Sequence, residues 1–187
     1  MNPADDAVAP EVAGLAAADH VLGDPQASVT LLGYGDYEYP ACIQAAPLVA
    51  QLIEGSGGQL RFVYRHYPQM EVHPNAELAA EASEAAAAQG QFWPMHHLLF
   101  VQSHHLTPAA MADYAAQIGL DMVRFRAEMA DRIYTQRVQE HRRAGEQSGL
   151  RATPTFFLNG QVVDVSFGLE RLEKAVHAAL EQHAAGR

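Results

Sequence analysis

The chain has 187 residues but one cysteine, one tryptophan and a single lysine, Lys174. Each scarcity excludes something. A lone Cys42 rules out an intrachain disulfide and any cysteine-rich zinc site. With 12 Lys and Arg against 22 Asp and Glu, the net charge is −10. A surface this acidic repels phosphate backbones and anionic lipid headgroups, so neither nucleic acid nor a membrane surface is expected as a partner. No run approaches the ~18 consecutive apolar residues that a membrane span needs. Residues 1–20 hold no basic residue and no leucine-rich stretch, so no secretory signal is legible in them. They read as a flexible, alanine-rich, acidic leader, and a cytoplasmic protein is the expectation, with a removed leader left open. No repeat of fixed period and no low-complexity linker divides the chain.

What is present is an ordinary globular mixture, 49% hydrophobic and 18% charged. The length suits one domain, or one domain carrying an insertion. Ten histidines would bring the charge toward neutral below about pH 6.

Gly23-Asp24-Pro25 marks a turn, after which Val29 to Tyr34 reads as a short buried strand. A loop, Gly35 to Tyr39, leads to Pro40, which suits a first helical position because its missing N–H is not needed there. Cys42, Ile43, Ala46, Val49, Ala50 and Ile53 recur at helical spacing. Pro47 is expected to bend that helix, and the glycines from Gly55 onward to stop it. Leu60 to His66 is a second strand, completing a right-handed parallel βαβ unit. From Pro74 to about Gly149 the text is rich in Ala, Glu and Gln and predicts four or five helices, one of them opened by Thr107-Pro108. Thr155 to Leu158, the turn Asn159-Gly160 and Gln161 to Val165 read as a hairpin. Leu169 to His183 is a terminal amphipathic helix. The order predicts an α/β fold with a βαβ–ββα core: residues 21–73 and 150–187 form the core, and residues 74–149 an inserted all-helical subdomain.

Two places carry chemical information. At Tyr37-Glu38-Tyr39-Pro40-Ala41-Cys42 a strand ends and a helix begins; at Ala152-Thr153-Pro154-Thr155 a Thr-Pro pair precedes a strand. With Asp36 before the helix, Arg65-His66-Tyr67-Pro68, His73-Pro74, Gln89-Gly90-Gln91-Phe92-Trp93 and Thr155-Phe156-Phe157-Leu158-Asn159-Gly160, the chain resembles the DsbA-like disulfide oxidoreductases of the thioredoxin superfamily over about residues 20–180. The resemblance implies a thioredoxin-like fold. It also implies a cis-proline loop at Thr153–Pro154 facing the active-site helix, where an extended peptide docks by β-type hydrogen bonds.

Against that family the chemistry departs. The family motif is Cys-Pro-x-Cys, and here it reads Tyr-Pro-Ala-Cys. A thiolate at a helix N-terminus is stabilised by unpaired N–H groups and the helix dipole, which makes it an attacking nucleophile. A phenol at position 39 forms no such bond with sulfur. Cys42 stands at the resolving position, where a small buried apolar role is expected. The leading expectation is a degenerate site without dithiol–disulfide exchange that keeps a groove for an extended peptide or small thiol, formed by Tyr39, Pro40, Ala41, Cys42, Thr153 and Pro154. The alternative is a monothiol or glutathione-dependent oxidoreductase, transferase or isomerase, using Cys42 or the Tyr39 hydroxyl much as related families use serine. No cofactor is otherwise called for, and glutathione stays open.

Asp36 and Glu38 read as supporting carboxylates. In related folds a buried acid there shuttles protons; the plainer expectation is a pair of solvated loop carboxylates. His66, His73 and His96 occupy positions of the family pattern. His97 and His104 are seven apart, beyond the i,i+4 spacing that best grips a metal, and there is no HExxH, so no metal is expected. Phe92, Trp93, Leu98, Leu99 and Phe100 should pack the helical block onto the sheet. The oligomeric state is not legible.

Overall fold

The structure is a computed structural model that describes residues 15–185. Most of the expected leader, residues 1–14, lies outside the described residues. The element order is β1 (His20–Leu22), β2 (Val29–Gly35), α1 (Pro40–Gly55), β3 (Leu60–His66), α2 (Ala76–Ala87), α3 (Phe92–Val101), α4 (Pro108–Gln117), α5 (Met122–Ala130), α6 (Thr135–Gln147), β4 (Thr155–Leu158), β5 (Gln161–Val163) and α7 (Glu170–Ala185). This is a thioredoxin-like α/β fold with five helices between β3 and β4.

The five strands lie in the order β1-β3-β2-β4-β5. β2 and β3 are parallel, pairing from Val29 with Leu60 to Gly35 with His66. β4 runs antiparallel to β2, and β5 to β4. Alternation sends successive side chains to opposite faces. Leu31, Phe62, Tyr64 and Phe156 join a core shared with α1, α2, α3 and α7. Leu32, Tyr34, Val63 and Phe157 join a smaller one with Tyr67 and Leu150. On β2 the first of these faces carries glycine at 33 and 35, which makes room for rings: a Cβ at Gly33 would stand 3.0 Å from both Phe156 and Phe62.

β1 was not foreseen in the sequence. Three residues are too few to show a period, and tertiary contacts hold them. His20, Val21 and Leu22 pair antiparallel with Tyr64, Val63 and Phe62. Trp93 Nε1 donates to the Val21 carbonyl at 3.0 Å. The end of the segment read as a leader is therefore anchored. Arg65 Nε and an Arg65 terminal nitrogen reach the two Asp19 oxygens at 2.9 and 2.7 Å.

α1 runs from Pro40 to Gly55 with Pro47 inside it, so the proline does not interrupt the helix. At the hairpin, Asn159 and Gly160 have φ of 49° and 84°. Two positive φ values are what a two-residue hairpin turn of matching twist requires. β5 ends at Val163, short of the expected Val165. α2 is lined by alanine: Ala79, Ala80, Ala82, Ala85 and Ala86 are all buried. Among the described residues no helix is long and apolar enough to cross a membrane.

Candidate functional site

The parallel strands β2 and β3 end together at Gly35 and His66, and the chain then turns into α1. This places Asp36 to Cys42 at the carboxyl end of the sheet, beside the segment that follows β3. Tyr39 is the residue before the first turn of α1, with an extended backbone (φ −81°, ψ 122°) and no side-chain cap. Its carbonyl accepts from the N–H groups of Cys42 and Ile43, both at 3.0 Å. Pro40 opens the helix and Ala41 is half-buried behind it.

Cys42 is 3% exposed. Burial pushes its thiol up to about 12, although bonds with the Asp36 backbone and the Thr153 side chain act the other way. A thiol so held carries almost no thiolate near neutrality, and thiolate is the reactive form. Thr153 is buried and the Thr153–Pro154 peptide bond is cis. Gln69 Nε2 donates to Thr153 Oγ1 at 2.8 Å, tying this loop to the segment after β3.

The carboxylates differ from the solvated pair expected. Asp36 is 1% exposed. Its Oδ1 accepts from Glu38 N at 2.8 Å, and its Oδ2 from Gln69 N at 2.9 Å. The same Oδ2 lies 2.7 Å from His73 Nδ1. A turn-forming Asp would show that first bond; the other two arise only in the folded chain, where β3 brings residues 69–73 alongside. Glu38 is half-buried and accepts from Asn75 N at 2.7 Å and Asn75 Nδ2 at 3.1 Å, at the start of α2. From the sequence, His73 is a histidine of the family pattern, expected to cap a helix end or line the cleft between insertion and core. Its ring packs against Tyr39, centroids 5.5 Å apart, and its side chain is partly exposed.

Behind the site lies a second polar network. Tyr37 OH meets His96 Nδ1 at 2.8 Å. Burial and the nearby Glu84 charge push the Tyr37 phenol up. Burial, with the nearby histidines, holds His96 well below the usual imidazole range. Glu84 Oε1 is shared by His66 Nε2 at 2.8 Å and His20 Nε2 at 2.9 Å. Burial would raise the Glu84 carboxyl, but the two imidazoles outweigh it and hold it low. His141 Nδ1 accepts from His66 N at 3.2 Å. Among the described residues one group has ligand atoms close enough for a metal, His66, Glu84 and His141, all within 4.8 Å of one another. Two imidazoles already meet Glu84 Oε1, while the buried His66 Nδ1 and His141 Nε2 have no hydrogen-bond partner among the described residues. His97 and His104, the pair weighed from spacing, are both exposed and belong to no such group.

A cleft of about 720 Å³ runs along α1 toward α3, from Pro154 and Cys42 past Ala45 and Val49 to Phe100 and Val101. Its lining includes Tyr64, whose buried hydroxyl has no hydrogen-bond partner among the described residues.

A family model described as thioredoxin matches residues 16–178. A crystal structure of a thioredoxin-like oxidoreductase from Silicibacter pomeroyi superposes with a TM-score of 0.75 at 26% identity, covering 87% of this chain and 92% of that one. Oxidised BdbD from Bacillus subtilis superposes with a TM-score of 0.78 at 21% identity, covering 92% and 98%, which speaks for the fold. Among curated relatives, Na(+)/H(+) antiporter NhaA 1 of Salinispora arenicola is 44% identical over 161 residues, 86% of this chain and 24% of that protein. NhaA of Herminiimonas arsenicoxydans is 37% identical over 161 residues, 25% of its length. The chain thus spans about a quarter of the length of the curated relatives it matches.

Proposed function

This chain belongs to the thioredoxin family as a DsbA-like member, and from that premise we propose that it is a ligand-binding module whose dithiol chemistry is gone. One observation carries the reading: Tyr39 occupies the helix-entry position where the attacking thiol would stand. The burial of Cys42 supports it, since a deeply protonated thiol does not start an exchange. The same burial counts against a monothiol enzyme. What remains is a groove formed by Tyr39, Pro40, Ala41 and the Thr153–Pro154 loop, with Met70 and Val72 exposed just before His73. Apolar side chains left in solvent beside such a loop favour a peptide or small thiol as ligand. The Tyr39 hydroxyl is the group that would serve glutathione.

The test pairs two measurements. Insulin reduction by the purified protein should not exceed the uncatalysed rate. Calorimetry with glutathione and with short extended peptides should give saturable binding that Ala41→Trp weakens. Catalytic turnover, or no binding of either ligand class, overturns the proposal.

A second reading has its own observation. Antiporter-named proteins of several bacteria contain a stretch 37–44% identical to this chain within a much longer sequence. A module of this kind is proposed to work beside a membrane transport protein. Co-purification with an NhaA-type antiporter from the same cells tests it; separation of the two under mild detergent argues against it.

A further inference from the structure

We propose that His73, oriented by Asp36, is the proton acceptor of this groove and that it converts the thiol of a bound small-molecule ligand to a thiolate. The inference rests on the small-thiol reading above and adds a residue to it.

The geometry begins with Asp36. Two backbone N–H groups, of Glu38 and Gln69, point at its oxygens, and an N–H can only donate. Asp36 is thus an acceptor, the role of an ionised carboxylate. With Asp36 as a carboxylate, His73 Nδ1, 2.7 Å from Oδ2, is the nitrogen that carries the proton. A neutral imidazole carries one proton, so the lone pair is on Nε2. A short N–H···O contact of this kind fixes both tautomer and ring orientation.

Position supplies the rest. The Asp36 side chain is fully buried and that of His73 is 16% exposed, so the carboxylate lies beneath and the imidazole at the surface. The His73 ring rests against Tyr39, at the helix entry. Gln69 connects the pair to the cis-proline loop, its N–H on Asp36 and its side chain on Thr153. A base held by a carboxylate, beside a ligand groove, is the arrangement by which weak nucleophiles are activated. The nucleophile is not supplied by the chain: Cys42 is buried and its thiol stays protonated. It has to arrive with the ligand. The step is a proton transfer: the ligand S–H bond breaks, its proton goes to His73 Nε2, the electron pair stays on sulfur, and the Asp36 carboxylate faces the imidazolium formed. Nothing is oxidised or reduced.

Two measurements test this. Glutathione is titrated into the protein at neutral pH, with binding read by calorimetry and thiolate by difference absorbance in the ultraviolet. The bound ligand should show more thiolate than free glutathione. His73→Gln should still bind glutathione saturably and should lower the bound thiolate at least about tenfold. Binding with no excess thiolate, or an excess that His73→Gln leaves unchanged, overturns the role of His73 while sparing the groove. Absence of binding overturns the groove reading and this step with it. Without any ligand, spectra of protein labelled with nitrogen-15 in histidine should place the neutral His73 proton on Nδ1. A proton on Nε2 overturns the proposal even if glutathione binds.

Discussion

The ring of Tyr39 lies against that of His73, centroids 5.5 Å apart and planes tilted by 36°. Tyr39 therefore packs against the imidazole at the entry to α1. The contact joins the helix entry to the segment following β3 and sets what a substitution at position 39 should expose.

Replacement Tyr39→Cys places a thiol at the start of α1, one turn from Cys42. Under mild oxidant both thiols should disappear from a free-thiol count, and insulin reduction should become measurable. If both thiols persist, the helix entry does not present residue 39 toward Cys42.

Cys42 itself should label slowly in the native protein and fast in denaturant. Its thiol is raised from 9.0 to about 12 by burial. The sign follows from proton binding: between those values the folded chain keeps a proton that the unfolded chain has lost. The stability this group contributes is complete below about pH 9 and falls as pH rises toward about 12. Urea midpoints across the alkaline range, compared with Cys42→Ala, should show the decline in the parent protein and a flatter curve in the variant.

On the acid side the group to watch is His141. Burial, with the neighbouring His66 and Arg137, lowers it from 6.5 to about 3, while Glu84 and Asp19 pull the other way. Its folded form stays neutral where the unfolded form takes up a proton. The contribution is present above pH 6.5 and is lost as pH falls toward about 3. His141→Gln retains an acceptor for His66 N, so it should still fold. Its stability should fall less steeply over that window, by close to one proton.

Asp19 and Arg65 form a nearly buried pair joining the residue before β1 to β3. Asp19→Asn removes the carboxylate charge that meets two nitrogens of the guanidinium. The expected loss is about 3–5 kcal/mol in urea unfolding, the range for breaking one partner of such a pair. Faster amide exchange at Val21 should accompany it, because Asp19 anchors the chain immediately before the three-residue β1.

These tests bear on features of unequal legibility. The Asn159-Gly160 turn, the buried run of β2 and the helix opened by Pro40 follow from local chemistry, and each is legible residue by residue. β1 is not, since three residues show no period and their stability comes from Arg65 and Trp93, far along the chain. The same holds at the site. That position 39 carries tyrosine is plain in the sequence. That Asp36 is buried and reaches His73 depends on contacts across more than thirty residues, which the loop text around Asp36 does not encode. Glu84 is a similar case. In an alanine-rich helix it looks like a solvent-facing charge, yet two histidines from different strands converge on one of its oxygens.

Alanine has no rotamers, and six alanines share the buried side of α2 with Glu81, Ser83 and Glu84. Such a surface cannot yield to a larger neighbour by swinging a side chain aside; the helix has to shift as a rod. Asn75, at the front of that rod, grips Glu38 through two hydrogen bonds. A methyl group added along that alanine face should therefore press on the start of α2 and, through Asn75 and Glu38, on the loop that carries Tyr39.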